Sequence, residues 1–217
     1  MRGFLQKDME LLIQNRSIPV VVLVMTAFMI CAKNESFVVS YLGMMGVFLA
    51  MSTISYDEAD RGLGYLMTLP TSRKIYAMEK YVLGYGVSVV LLAFGILAWI
   101  LTDMLRGIHL EINELMLNCE TGVLVVAVMM VVLVPVQLKF GMDNGRIIMA
   151  AVFMGIFSVA YLAVKVAENI GIDMDQLLMD IQSLGIPVLA VIFLVFLGIV
   201  TYISCKISIH IMERKEF

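Results

Sequence analysis

Six apolar runs, at about 17–32, 36–55, 81–102, 121–138, 147–166 and 184–205, alternate with short polar or mixed-charge stretches. A helix crossing a hydrocarbon core of ~30 Å needs ~20 mostly apolar residues, and five runs reach or approach that length. The first is shorter. Leu11, Leu12 and Ile13 can lengthen it, or it enters the membrane bent at Pro19. Backbone N–H and C=O groups surrounded by lipid find partners only inside a helix or a closed barrel, and the alternating segments of barrel strands are missing from the pattern. It therefore predicts an all-α integral membrane protein, a single transmembrane domain over 1–217 with six transmembrane helices.

Two stretches outside the runs have a pattern of their own. Over about 2–16, Phe4, Leu5, Met9, Leu12 and Ile13 fall on one helical face, with Arg2, Lys7, Asp8 and Glu10 on the other. That spacing fits a helix lying in the membrane interface, the plainer alternative being an extension of the first span. The second stretch, about 56–80, is the longest connection on its side of the membrane. It opens with Asp57, Glu58, Asp60 and Arg61, continues with an apolar patch of Leu63, Tyr65, Leu66, Met67 and Leu69, then turns at Pro70. Pro70 ends one helical element, and Thr71 or Ser72 can cap the next.

Composition and charge set the solvent and the sides. The chain is 61% hydrophobic and 15% charged, against roughly one half and one quarter for soluble domains, and its mean hydropathy is +0.97. Twelve of the fifteen Lys and Arg residues fall on one side of the predicted spans; only Lys33, Arg106 and Lys165 fall on the other. Positive charge stays inside, which predicts a multi-pass protein of the cell membrane with both termini cytoplasmic. A net charge of −3 with no basic tract does not suggest a nucleic-acid partner, and none is expected. No cleavable signal peptide is expected, since a mixed-charge stretch precedes the first run.

Chemistry is scarce. The middle of every predicted span lacks Asp, Glu, Lys, Arg and His, whereas ion-coupled transporters need such groups within the membrane. Asp103 and Lys165 sit at span ends, within snorkelling reach of water. The two histidines, His109 and His210, are far apart, no Gly-x-Ser-x-Gly turn occurs, and Cys31, Cys119 and Cys205 lack metal-ligand spacing. No catalytic or metal site is expected. Cys31 and Cys119 both fall near the external face, and spacing does not decide whether they pair. A phosphate-cradling loop ending in Gly-Lys-Ser/Thr is absent, so work done by this chain must draw on ATP bound elsewhere. The small-residue pairs Gly46/Ala50, Gly84/Ser88 and Ala151/Gly155 suit close helix contact. The 19 methionines fit ordinary membrane-helix filler or an adaptable apolar lining.

The stretch from Glu58 through Leu69-Pro70-Thr71-Ser72-Arg73 to Lys80-Tyr81, with the opening Gly3 to Asp8, resembles the permease subunits of type-2 ABC transporters of the small six-span export class. The resemblance covers the whole span plan, though its specific motif occupies about 25 residues. It implies a permease without its own nucleotide site, working as a homo- or heterodimer on two separate ATPase subunits that hold ATP and Mg. The loop at 56–80 would be the coupling helix, carrying the ATPase contact on Asp57, Glu58, Asp60, Arg61, Leu63, Tyr65, Leu66, Leu69, Pro70, Ser72, Arg73 and Lys74. The interfacial helix, with Phe4, Leu5, Met9, Leu12 and Ile13, would be a second contact. Similar permeases export phenol-soluble modulins and antimicrobial peptides, which implies a bacterial cytoplasmic membrane and an amphipathic peptide or other hydrophobic cargo. The alternative is a non-transport membrane module, such as an immunity, sensor or assembly protein, which would need no ATPase.

Overall fold

The computed structural model describes residues 2–14, 17–31, 35–59, 62–66, 68, 72–107, 112–169 and 186–215. They form seven helices, and no strand occurs among them: α1 Arg2–Gln14, α2 Ser17–Cys31, α3 Glu35–Glu58, α4 Gly62–Leu66, α5 Arg73–Arg106, α6 Ile112–Asn169 and α7 Ile186–Arg214. Four segments are long and apolar enough to cross a membrane, Phe37–Glu58, Arg73–Arg106, Glu114–Gly141 and Phe193–Arg214, joined by the shorter apolar helix Val20–Ile30. These coincide with five of the six apolar runs. The remaining run, about 147–166, is helical within the second limb of α6.

Two boundaries differ from the sequence expectation. The polar stretch between the fourth and fifth runs is helical rather than a loop, and α6 is broken at one residue, Gly141, with φ 71° and ψ −170°. That conformation is essentially open only to glycine. The second difference is α5, which begins at Arg73, about two turns before the predicted third span. Ser72 is its N-cap, accepting a hydrogen bond from the Ile75 N–H at 3.2 Å, and the first turns of α5 then run through the core rather than through a loop.

The small-residue pairs explain how the bundle closes. α3 packs against both α5 and α6, and α7 closes against α6 and α5. Gly46 lies against Ser88, where a Cβ would come within 2.5 Å of the Ser88 Cα, and Ala50 lies against Gly84. The Gly46/Ala50 pair of α3 thus meets the Gly84/Ser88 pair of α5, and the two backbones approach to distances larger residues forbid. Gly155, of the third pair, faces open space instead. Around this crossing Val39, Val47, Ile54, Tyr76, Met130 and Leu133 form one buried core.

Polar side chains pin the outer helices. The Tyr81 hydroxyl lies 2.7 Å from Ser204 Oγ and 2.9 Å from Ser208 Oγ, and the Tyr85 hydroxyl lies 2.8 Å from Thr201 Oγ1, tying α5 to α7. Gln137 Nε2 donates to the Met51 carbonyl and to Ser55 Oγ, tying α6 to α3. Such bonds contribute roughly 0.6 kcal/mol each in membranes; here they set register among otherwise featureless apolar surfaces. Asp103, expected to snorkel, is buried near the end of α5 instead.

Candidate functional site

The chemistry-bearing residues gather at one end of the bundle. α1, the end of α3, α4, the start of α5, the Gly141 break and the end of α7 all meet there, and the ties between them are charged. Lys80, on the second turn of α5, is fully buried. Its Nζ pairs with Asp8 of α1, lies 2.9 Å from Asp57 Oδ2 of α3 and donates to Thr53 Oγ1 at 3.1 Å. Lys7 adds a second cation, paired with Asp57 and 3.1 Å from Asp8 Oδ1. Burial works against the charge of the Lys7 ammonium, but its hydrogen bond to Asp57 and the fields of Asp57 and Asp8 outweigh that and raise its pKa. The Tyr76 hydroxyl donates to Asp57 at 3.0 Å, and its ring carries Phe4 edge-on at 5.8 Å.

Glu79 is the odd member. It is fully buried beside this cluster, with Lys80 Nζ 3.7 Å away and no hydrogen bond to either carboxylate oxygen. Three carboxylates, Asp8, Asp57 and Glu79, therefore face two ammonium groups, Lys7 and Lys80, in a place where burying an uncompensated charge costs several kcal/mol.

A second set of contacts clamps the end of α7. Arg73 donates to the carbonyls of Glu213 at 2.9 Å and Lys215 at 3.0 Å, groups a helix C-terminus leaves without intrahelical partners. Lys215 reaches Glu58 Oε1 at 2.8 Å and the Leu138 carbonyl at 2.9 Å, just before the break at Gly141. A Cβ built on Gly141 would stand 3.1 Å from Glu58 Oε2.

The sequence-predicted site residues thus divide by placement. Asp57, Leu63 and Phe4 are buried, Glu58 and Arg73 hold the clamp, and Ser72 caps α5. Leu5, Leu12 and Leu66 are half-buried, while Tyr65, Lys74, Met9 and Ile13 are exposed. Asp60, Arg61, Leu69 and Pro70 lie outside the described residues. α1 corrects the amphipathic reading: Asp8, expected on the polar face, is buried, because Phe4 and Asp8 sit one turn apart on the face that meets α5. Sequence reasoning missed Glu79 and Lys80 as buried groups, and their position seven and eight residues beyond Ser72 was the available signal. Cys119 and Cys205 are free thiols, and the Cys31 side chain lies outside the described residues. Among the described residues no cluster of His, Cys, Asp and Glu could hold a metal ion.

Several apolar helices around a core of small-residue contacts, with charge gathered at one end, define a multi-pass helical membrane protein. The family model of the ABC-2 family transporter protein matches residues 3–213, nearly the whole chain, and the chain belongs to that family. No curated protein and no solved structure matches it. Membership makes it a membrane component of an ABC transporter rather than the ATPase, and implies ABC ATPase subunits as partners.

Proposed function

We propose that the chain is one permease of an ATP-driven exporter, with six spans, both termini cytoplasmic, and the loop at 56–80 as its ATPase-coupling element. Two copies, or this chain and a related one, would enclose the pathway, and ATP and Mg would act on the partner subunits. A nucleotide state can move the permease only if it favours one permease arrangement over another, so the coupling element must be firmly attached to the spans. The observation that carries the reading is this attachment: Asp57 at the start of the loop and Lys80 at its end are bound to one another and to α1 inside the core. Between them, α4 buries Leu63 and turns Tyr65 outward, 72% exposed. Tyr65 is the residue we assign to the ATPase groove, with α1 moving as part of the same unit. The side assignment draws on Lys7, Arg73, Lys80 and Lys215 standing together at this end, as positive-inside sorting requires. An amphipathic peptide or another hydrophobic compound is the cargo that suits spans whose centres carry no charge.

The test is purification of the tagged chain from its native membranes, with ABC ATPase subunits identified by mass spectrometry. Tyr65→Asp should lose the ATPase, or abolish cargo-stimulated ATP hydrolysis, while leaving the thermal stability of the chain unchanged. Stable purification with no ATPase bound to the unaltered chain would instead favour the non-transport module.

A further inference from the structure

On one side of α5 the helices leave a slot of about 800 Å³, walled entirely by apolar residues and glycine from α1, α2, α3 and α5. We infer that this slot is a lipid site, holding one acyl chain of a phospholipid from the leaflet in which α1 lies. The inference rests on the chain's being embedded in a membrane, not on ATPase coupling.

Its length fits. The α5 wall runs from Val82 through Gly86 and Val90 to Phe94, and twelve residues at ~1.5 Å each give about 18 Å. Half of a ~30 Å hydrocarbon core is about 15 Å, so the slot is one leaflet deep. Its position fits as well. α1 is fastened at the start of α5 through Phe4–Tyr76 and Asp8–Lys80, which turns Leu5, Met9 and Leu12 toward the near end of the slot.

A single flexible acyl chain is thinner than a helix ~10 Å across and follows irregular walls. The slot is also open to its surroundings: Val90 is 67% exposed and Met9, Leu23 and Val82 are exposed beside it. Gly86 leaves room at the middle of the wall, since a Cβ built there meets nothing within 4 Å.

The test uses the full chain in nanodiscs of phosphatidylglycerol doped with the same lipid carrying a diazirine midway along one acyl chain. After illumination, adducts mapped by mass spectrometry should concentrate on Met9, Leu23 and Val90, roughly tenfold above the outward residues Leu194 and Val195 of α7. Gly86→Phe should cut the slot adducts by about the same factor and leave those on α7 unchanged, with Gly86→Leu as the milder filling variant if Gly86→Phe does not fold. Equal labelling of slot and α7, or slot labelling indifferent to filling, would overturn the inference. So would slot residues shielded from lipid by a second copy of the chain, seen as a Val90→Cys disulfide between copies. None of these outcomes depends on whether an ATPase binds, which is read separately by co-purification.

Discussion

Lys80 is the residue on which the charged end depends. Replacing it by Met leaves the buried carboxylates of Asp8, Asp57 and Glu79 with one cation in the cluster, Lys7. Removing one partner of a buried pair typically costs about 3–5 kcal/mol, and Lys80→Met is expected to lower stability by that order in detergent unfolding. Glu79→Gln should behave oppositely. It removes a buried negative charge that accepts no hydrogen bond and whose cation, Lys80, stands 3.7 Å away and closer to Asp57 and Asp8, so stability should hold or rise slightly. If Glu79→Gln destabilised the protein as much as Lys80→Met, the charge balance described for this cluster would be wrong. Little of this was legible in the sequence. Asp8 and Lys80 are 72 residues apart, and periodicity alone assigns Asp8 to the wet face of α1 and Lys80 to the end of a loop. Burial of a charge depends on what another element brings to meet it, and one chain's pattern does not contain that.

The helices themselves were far more legible, because lipid imposes length and composition on each span independently of its neighbours. The runs near 36–55, 81–102, 121–138 and 184–205 each correspond to a candidate span, and Ser72 caps α5 as its sequence suggested. The small-residue pairs carried packing information as well, though which pair met which required the fold. Gly46→Leu should force α3 from Ser88 at a cost of about 1–3 kcal/mol, whereas Gly155→Ala, facing open space, should be neutral or stabilising by up to roughly 1 kcal/mol. The break in α6 was hidden, since one glycine in a polar stretch looks like part of a loop. Gly141→Ala should cost about 1–3 kcal/mol through its positive φ and its contact with Glu58. Thermal unfolding of the three variants side by side checks the ranking; equal effects at Gly46 and Gly155 would contradict the α3–α5 crossing.

Across the whole molecule, α1, the end of α3, the start of α5 and the end of α7 are fastened together by charged groups. The ion pairs of Lys80 tie α5 to α1 and α3, and the carbonyl clamp of Arg73 ties α5 to α7; under the coupling proposed above, a push on α4 would reach these helices through its packing on α3. The motif residues therefore have two kinds of work. Asp57, Ser72 and Arg73 build the platform, and Tyr65 projects from it. The most direct measurement is site-directed cross-linking in native membranes, with a photo-reactive cysteine label on Tyr65→Cys, Lys74→Cys and, as an outward control on α7, Val195→Cys. Adducts of an ABC ATPase subunit with labels at Tyr65 and Lys74, strongest at Tyr65 and absent at Val195, are the result predicted here. ATPase adducts from Val195 alone, or from none of the three while the ATPase co-purifies, would contradict coupling through this loop.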